Sequence, residues 1–539
     1  MTMALSTLPL LALLACGDDT TSGTTDSATA TTDSGTVTDS ADTGTPDSGT
    51  DTDTDTDCPA VTQLTVAGGE RQLLALDLGV ETDLETGVWA VCTADDDPDE
   101  QHLAESGTAA TAHSLGIQGL APETAYTCEA RTTCGAATPA SVSHTTPALP
   151  PDVSGFQVTL GDHPSWGEYT LTAEIEPCED YDTTNLHGLV LDSQGVPRWF
   201  YDVPDAIVSS DVEIRYLGDG LIHIAGGWGQ FDTRAPHQGM FRTLDLSNQV
   251  IHHRDAPDLG LGFNHHSIRL ETGEYVTHTY ALHGGFNVGM TVEVWDPETE
   301  AITWSWDSEQ TWLDGEGIQG SGAEIWASNS LTWIDDALGP ALYVNVVTTD
   351  SIWRVDRDTG RVTHILGVGQ GWSLFDADGD ALDADEDWFY FQHDPEITAD
   401  GRVLMHDNGQ GRPGRNKYSR VVEYQIDWER QVLTETWVWG EPDWYNPYLG
   451  DADRLPNDNV LVATGHIWCA SGYDDASSVF EIEPSSGELA WRMDWDNPDF
   501  ATYRAERLGG CDIFANAATC PAVAERIAAL GDGTATPGR

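Results

Sequence analysis

From about residue 154 onward, one pattern of apolar and polar positions recurs along the chain. An apolar residue and an acid precede a polar turn, and an apolar run that often ends in Trp follows it. The pattern occurs as VLDSQGVPRWFY, TLDLSNQVIHHR, VWDPETEAITWSW, VDRDTGRVTHILG, IDWERQVLTETWVW and IEPSSGELAWRMDW. Each copy predicts a strand, a tight turn and a strand, because short alternating runs on either side of a turn cluster pair as hairpins. A second pattern, IRLETGEYVTH, EITADGRVLMHD and RLPNDNVLVATG, supplies further strand pairs around turns rich in Gly, Asp and Asn. Outer and inner pairs in regular succession read as the blades of a β-propeller. Six copies of the outer hairpin predict six blades over residues 154–510, and 20 tryptophans suit sheets packed face to face around a ring. A quinoprotein-type propeller, the competing assignment, would carry more blades and a stricter Trp motif.

Residues 58–149 carry shorter alternating runs, GVWAVCTA and AYTCEARTT, at the spacing of a small β-sandwich. The stretch LAPETAYTCEA resembles the E–F corner of a fibronectin type III or immunoglobulin-like domain, with Tyr126 as the corner tyrosine and Cys128 two residues on. That resemblance places Trp89 and Cys92 on a neighbouring strand. TTPALPPDV reads as a Pro-rich linker to the propeller, and residues 511–539 as a C-terminal tail. The expected fold class is therefore all-β: a six-bladed propeller, an N-terminal sandwich and, over residues 17–57, a disordered acidic linker.

That linker changes the reading of the charge. The formal net charge is −67, from 90 Asp and Glu against 23 Lys and Arg, and residues 18–57 hold eleven Asp and no Lys or Arg. With no aromatic residue and almost no aliphatic one, the segment cannot build a core and serves most simply as a tether. A chain this acidic repels phosphate backbones, which excludes nucleic acid as a partner. Residues 1–16, with their apolar run before Leu13-Leu14-Ala15-Cys16, resemble a bacterial lipoprotein signal with its lipobox. The resemblance implies lipidation at Cys16, a membrane held through that anchor, and a cell-envelope location, periplasmic or on the outer membrane or cell surface. An ordinary secretory signal with an incidental cysteine is the alternative. Eight cysteines remain in the mature chain, an even number in an oxidising compartment, and predict disulfides.

Candidate chemistry lies at the starts of the inner strands. Aligning them sets His265-His266, Asn329, His393 and Asp451-Asp453 at one level, where the strands of a propeller converge on one mouth of the channel. Four stretches then resemble the bacterial arylsulfotransferase family: NHHSIRLETGEY, the segment from Asn329 through VDRDTGRV, FQHDPEITADGRVLMHDNG, and FATYRAERL. The resemblance implies a propeller that moves a sulfuryl group between small aryl sulfates and phenols, with no cofactor required. It implies His393 as the nucleophile that forms a sulfohistidine, and His266 as its catalytic partner with His265 and Asn329 in substrate binding. His406, before the Asp407-Asn408-Gly409 turn, is expected to be structural. Two positions depart from the family pattern: its His-x-Asn aligns with Ala327-Ser328-Asn329, and its arginine falls near Val347.

Two further clusters bear on the site. GRPGRNKYSR crowds Arg412, Arg415, Lys417 and Arg420 after the His393 hairpin. Arg412 and Arg420 either bind the sulfate or pair with carboxylates to hold their loop. Asp376, Asp378 and Asp380 of DADGDALDADED either wrap a structural calcium or form a solvated acidic loop. A propeller that has lost catalysis and binds a ligand or surface partner at the same mouth is the alternative function.

Overall fold

A computed structural model describes residues 58–538, apart from 134–138, 176–185, 204–211, 227–239, 256–259, 284–286, 319–326, 384, 415–416, 441–443, 466–476 and 498–499. Cys16, the signal segment and the acidic linker lie outside the described residues, as do Cys134, Cys178, Cys469, Arg415 and the His265 side chain.

The described chain is all-β and propeller-like. Each predicted outer hairpin is present: Leu186–Asp192 with Pro197–Asp202, Met240–Asp245 with Val250–Asp255, and Asn287–Asp296 with Ala301–Asp307. Ser351–Asp356 pairs with Arg361–Gly367, Arg420–Asp427 with Val432–Trp439, and Ser478–Glu483 with Glu488–Trp495. The acid of the repeat has a local cause. Asp192 Oδ1 accepts the backbone N–H groups of Gln194 and Val196 at 2.9 Å each, tying the turn to the end of its strand. Asp245, Asp296, Asp356, Asp427 and Glu483 accept turn N–H groups in the same way in the other five. The recurring Trp staples one sheet to the next. Trp304 Nε1 donates to the Arg357 carbonyl, Trp437 Nε1 to that of Pro484 and Trp491 Nε1 to that of Ser193, each in a neighbouring sheet's outer turn.

The chain ends close the arrangement. Ala505–Leu508 pairs with Tyr169–Ile175 and becomes the innermost strand of the sheet that begins the series. Phe156–Leu160, from before that series, pairs with Glu488–Trp495 at its far end. The inner strands are Ala505–Leu508, Val212–Tyr216, Gly260–Arg269, Ser328–Asp336, His393–Ile397 and Asp451–Arg454. Consecutive sheets touch along these inner edges, and Val460–Thr464 of the last sheet meets Ala505–Leu508 of the first.

In the N-terminal region, Ala75–Ala94 pairs with Val61–Gly68 over its first half, with Ala125–Thr132 over its second, and with Gln101–Gln118 on its other edge. Hydrogen bonding thus joins these strands, with Ala140–Thr145, into one sheet whose halves share a core of Leu76, Leu78, Ala90, Tyr126 and Cys128. The Tyr126 hydroxyl accepts the Ala121 N–H at 2.9 Å, the backbone contact expected of a corner tyrosine. Cys92 and Cys128 sit directly opposite one another on paired strands and are disulfide-bonded, as are Cys511 and Cys520. Residues 511–538 pack as a strap: Arg526 pairs with Glu105 at 2.7 Å and Leu530 fills a pocket with Trp89 and Val91. Arg198 grips Glu100 with two hydrogen bonds of 2.7 and 3.1 Å, which also joins the two regions.

Candidate active site

Five of the six inner strands send polar side chains to one volume, to which Ser328–Asp336 adds the Asn329 carbonyl, and the connections among them are direct. His266 Nε2 lies 3.0 Å from Arg215 Nη1, and its Nδ1 lies 3.3 Å from Arg504 Nη1. Arg504 is 2 % exposed; Nη1 pairs with Asp394 Oδ1 at 3.0 Å and Nη2 donates to the Asn329 carbonyl at 2.9 Å. Glu213, Glu396, Asp453 and Glu506 complete the shell around Arg215 and Arg504. Burial pushes the Glu213 carboxyl up to about 8, and burial with mutual repulsion holds Asp451 and Asp453 well above the usual carboxylate range.

His393 begins its strand and is 5 % exposed. Its Nδ1 lies 2.6 Å from Asn408 Oδ1. The Asn408 amide is oriented by its other end, where Nδ2 donates to the carbonyls of Asn446 and Leu449 at 2.8 and 2.7 Å. Only the amide oxygen can then face His393, so Nδ1 carries the proton and Nε2 keeps the lone pair. Burial, aided by the Arg504 charge, pushes the imidazole down to about 4.

Asn408 is held in turn by its neighbours. Asp407 is fully buried, and its Oδ2 takes Arg420 Nε at 2.8 Å and Arg412 Nη2 at 2.5 Å. Its Oδ1 accepts the Tyr390 N–H at 2.9 Å. Gly409 has φ +70, and a Cβ there would stand 2.1 Å from the Tyr418 carbonyl oxygen, so the third position of Asp-Asn-Gly has no room for a side chain.

The sequence expectations fare unevenly against this geometry. His266 and His393 are brought to the same volume, and the Asp451-Asp453 pair joins them through Asp394. Asn329 is turned away from the volume: Nδ2 donates to the Gln392 carbonyl at 3.1 Å and Oδ1 accepts from Asn345 at 2.5 Å. Arg412 and Arg420 take the loop-holding alternative, their donors taken up by Asp407, Glu435, Tyr424 and the carbonyls of Glu386, Asp387 and Trp388. His406, expected to be structural, lies close to the candidate nucleophile. It is the direct cross-strand partner of His393, because the Asp400-Gly401 turn folds the second strand back along the first. Burial pushes its imidazole down to about 3, and Trp444 packs edge-on against it at 5.4 Å. Asp376 Oδ1 accepts the N–H groups of Asp378 and Asp380 at 3.0 and 2.8 Å, which closes the acidic loop as a turn.

Two residues escaped the sequence reading. Asn408 appeared only as part of a turn, although its amide sets the tautomer of the candidate nucleophile. Arg504 lay inside the Tyr-Arg-Ala stretch, and its spacing gave no sign that ring closure carries it to His266 and Asp394.

The sequence model of the family described as Arylsulfotransferase (ASST) matches residues 179–504. The chain belongs to the arylsulfotransferase family. Among curated relatives, the Arylsulfate sulfotransferases AssT of Escherichia coli O6:H1 and of Lelliottia amnigena are each 23 % identical, over 390 and 389 residues. Each alignment covers 59 % of this chain and 64 % of the relative, so the chain spans just under two thirds of the relatives' length. Among solved structures, a putative 6-phosphogluconolactonase from Bacteroides uniformis is 12 % identical, with a TM-score of 0.35 over 78 % of this chain and 99 % of that one. A likeness that low carries no argument. Against the arylsulfotransferase pattern, the departures have a shared place: Ala327 and Val347 pack together and against Phe391, whose ring lies 5.7 Å from that of His393. An apolar patch stands where the sequence resemblance led one to expect a histidine and an arginine.

Proposed function

We propose that this chain transfers a sulfuryl group from an aryl sulfate to a phenol through a sulfohistidine on His393. The observation that carries the reading is the Asn408 contact, which leaves a lone pair on Nε2 of an imidazole that burial keeps neutral. That lone pair attacks sulfur, the sulfur–oxygen bond to the ring breaks, and the phenolate leaves with the bonding electrons. A second phenol, giving up its proton to solvent as the first phenolate takes one back, then attacks the sulfohistidine sulfur in line, and the nitrogen–sulfur bond breaks, returning the imidazole. Arg504 is the cation best placed to face the sulfuryl oxygens, with His266 fixed between it and Arg215. The wall of Ala327, Val347 and Phe391 suits an aryl ring better than a charged group. In this reading the ring of sheets is a six-bladed propeller, the N-terminal region a fibronectin-like spacer, and the chain a cell-envelope lipoprotein. Among the described residues no helix is long and apolar enough to cross a membrane.

A second reading, a non-catalytic ligand-binding propeller, is favoured by that same apolar patch and by the surplus of carboxyls over guanidinium groups around Arg215 and Arg504. Single-turnover kinetics separate the two. Mixed with an activated aryl sulfate and no acceptor, the enzyme should release one phenol per chain in a burst. No release from a panel of donors would leave the binding reading standing. The pH profile is a further check. The neutral imidazole is the reactive form, so the burst rate should stay flat from neutral pH downward and fall as pH drops through about 4. An inflection near 6.5 would show a solvated histidine instead. The profile must be read where the protein is folded. Burial pushes His223, His278 and His406 down to about 3 each, so the stability these three imidazoles contribute is present above about 6.5 and is lost as pH drops toward 3, while Glu213, Asp451 and Asp453, raised by burial, contribute in the opposite direction.

The anchor is tested separately: Cys16→Ser should move the protein from the membrane fraction to the soluble fraction, and unchanged partitioning would refute lipidation.

A further inference from the structure

Beside the imidazole lies a second constellation with different chemistry. One oxygen from each of Asp394, Asp451 and Asp453 lies within 4.8 Å of the other two. Asp394 follows His393 on its strand, whereas Asp451 and Asp453 stand two residues apart on the inner strand of the next sheet, hence on one face. Asp394 and Asp451 are each 2 % exposed.

An independent observation concerns their hydrogen bonding. Asp394 Oδ1 is taken by Arg504, whereas Asp394 Oδ2 and Asp451 Oδ1 meet no N–H or hydroxyl donor from any other described residue, and the two carboxyls lie within hydrogen-bonding reach of each other, where a shared proton or a cation can meet both. A buried oxygen left in this state costs about 1–3 kcal/mol, more for a charged group, unless a proton or a cation meets it. The make-up of the shell points the same way, since Glu213, Glu396 and Glu506 add carboxyls to the three aspartates while Arg215 and Arg504 supply the guanidinium groups, and burial raises Glu213, Glu396, Glu506, Asp451 and Asp453 where no further cation among the described residues meets them. Three carboxylate oxygens with no nitrogen or sulfur ligand among them select a hard cation over zinc or copper.

We propose that Asp394, Asp451 and Asp453 bind one hard divalent cation, magnesium or calcium, beside His393. Water or an oxygen of an anionic ligand completes the coordination shell. The ion satisfies the two orphaned oxygens and offsets the carboxyl surplus. It also supplies positive charge next to a pocket in which Ala327 and Val347 supply none, favouring an anionic substrate such as a sulfate ester.

Binding of the ion is measurable without any turnover, so its failure and that of the sulfuryl-transfer reading are distinguishable. Full-length protein is treated with chelator, dialysed, and titrated with calcium chloride or magnesium chloride by calorimetry, with thermal melts in parallel. One ion per chain should bind by about 1 mM, and the melting temperature should rise with it. Asp451→Asn and Asp453→Asn should each weaken that site about tenfold or more. Asp453 is only half-buried, so its variant carries the test if the other fails to fold. Binding that survives both substitutions unchanged would belong to the Asp-rich linker or the 376–387 loop and would overturn the proposal. So would a melt and a titration that ignore both ions, the result expected if Asp394 and Asp451 simply share a proton.

Discussion

Replacing His393 with Ala should abolish the phenol burst, lowering single-turnover release by about a thousandfold or more, because His393 is the side chain assigned to take the sulfuryl group. Loss of a covalent nucleophile is not graded: without the nitrogen–sulfur bond there is no intermediate for the acceptor to attack. The fold should tolerate the change. His393 pairs with His406 at the open end of its hairpin, away from the packing between Val403, Met405 and Tyr424, so the melt should move little. Asn408→Ala tests the tautomer argument. With the Nδ1 partner gone, the imidazole can protonate at Nε2 and lose its attacking lone pair, so the burst should slow by about tenfold to a hundredfold while its stoichiometry stays at one. A full burst from His393→Ala would move the nucleophile elsewhere, with His266 the next candidate to examine. A burst unaffected by Asn408→Ala would remove the positioning role of the Asp-Asn-Gly turn and leave it a structural corner.

The second large effect belongs to Arg504, because one guanidinium serves two purposes. It neutralises Asp394 at 3.0 Å and lies 3.5 Å from Glu213, both within the buried shell. Arg504→Ala strands these carboxyls, and breaking a buried pair of this kind costs about 3–5 kcal/mol. The same substitution removes the cation assigned to the sulfuryl oxygens, where losing one donor costs about a hundredfold to a thousandfold in rate. Arg504→Lys separates the two effects. Lysine keeps a charge for Asp394 but cannot span to the Asn329 carbonyl as well, so the melt should recover in part while the burst remains slow. A variant that melts normally would show that Asp394 does not depend on Arg504. One that reacts at the full rate would show that the sulfuryl group is held by something else, the proposed divalent cation being the first to test.

Much of the architecture was legible in sequence because it is made locally. A strand, a turn closed by its own acid and a returning strand are fixed by hydrogen bonds between residues a few positions apart. The six outer hairpins could therefore be located from the repeat, with Asp192 and its counterparts in the turns where the pattern put them. The tryptophans at the strand ends likewise announced packing between sheets, since a side chain that size is rarely left in solvent at such a regular spacing. His393 was legible too, from the Gln-His and Asp-Asn-Gly stretches that bracket its hairpin.

What charge surrounds that histidine was decided elsewhere. Arg504 and His266 stand 238 positions apart, and only the pairing of Ala505–Leu508 with Tyr169–Ile175 brings them to 3.3 Å. No periodicity encodes a contact made by closing a ring. The basic loop failed as a guide for the complementary reason: four cations in nine positions say nothing about direction, and Arg412 and Arg420 turn to Asp407 because a fully buried carboxylate must be paired. The sequence by itself determined the repeat, the hairpins and the strand that carries the candidate nucleophile. The tertiary structure alone decided which cation, which amide and which carboxylates meet there, since in a propeller the innermost strands are neighbours in space and remote in sequence.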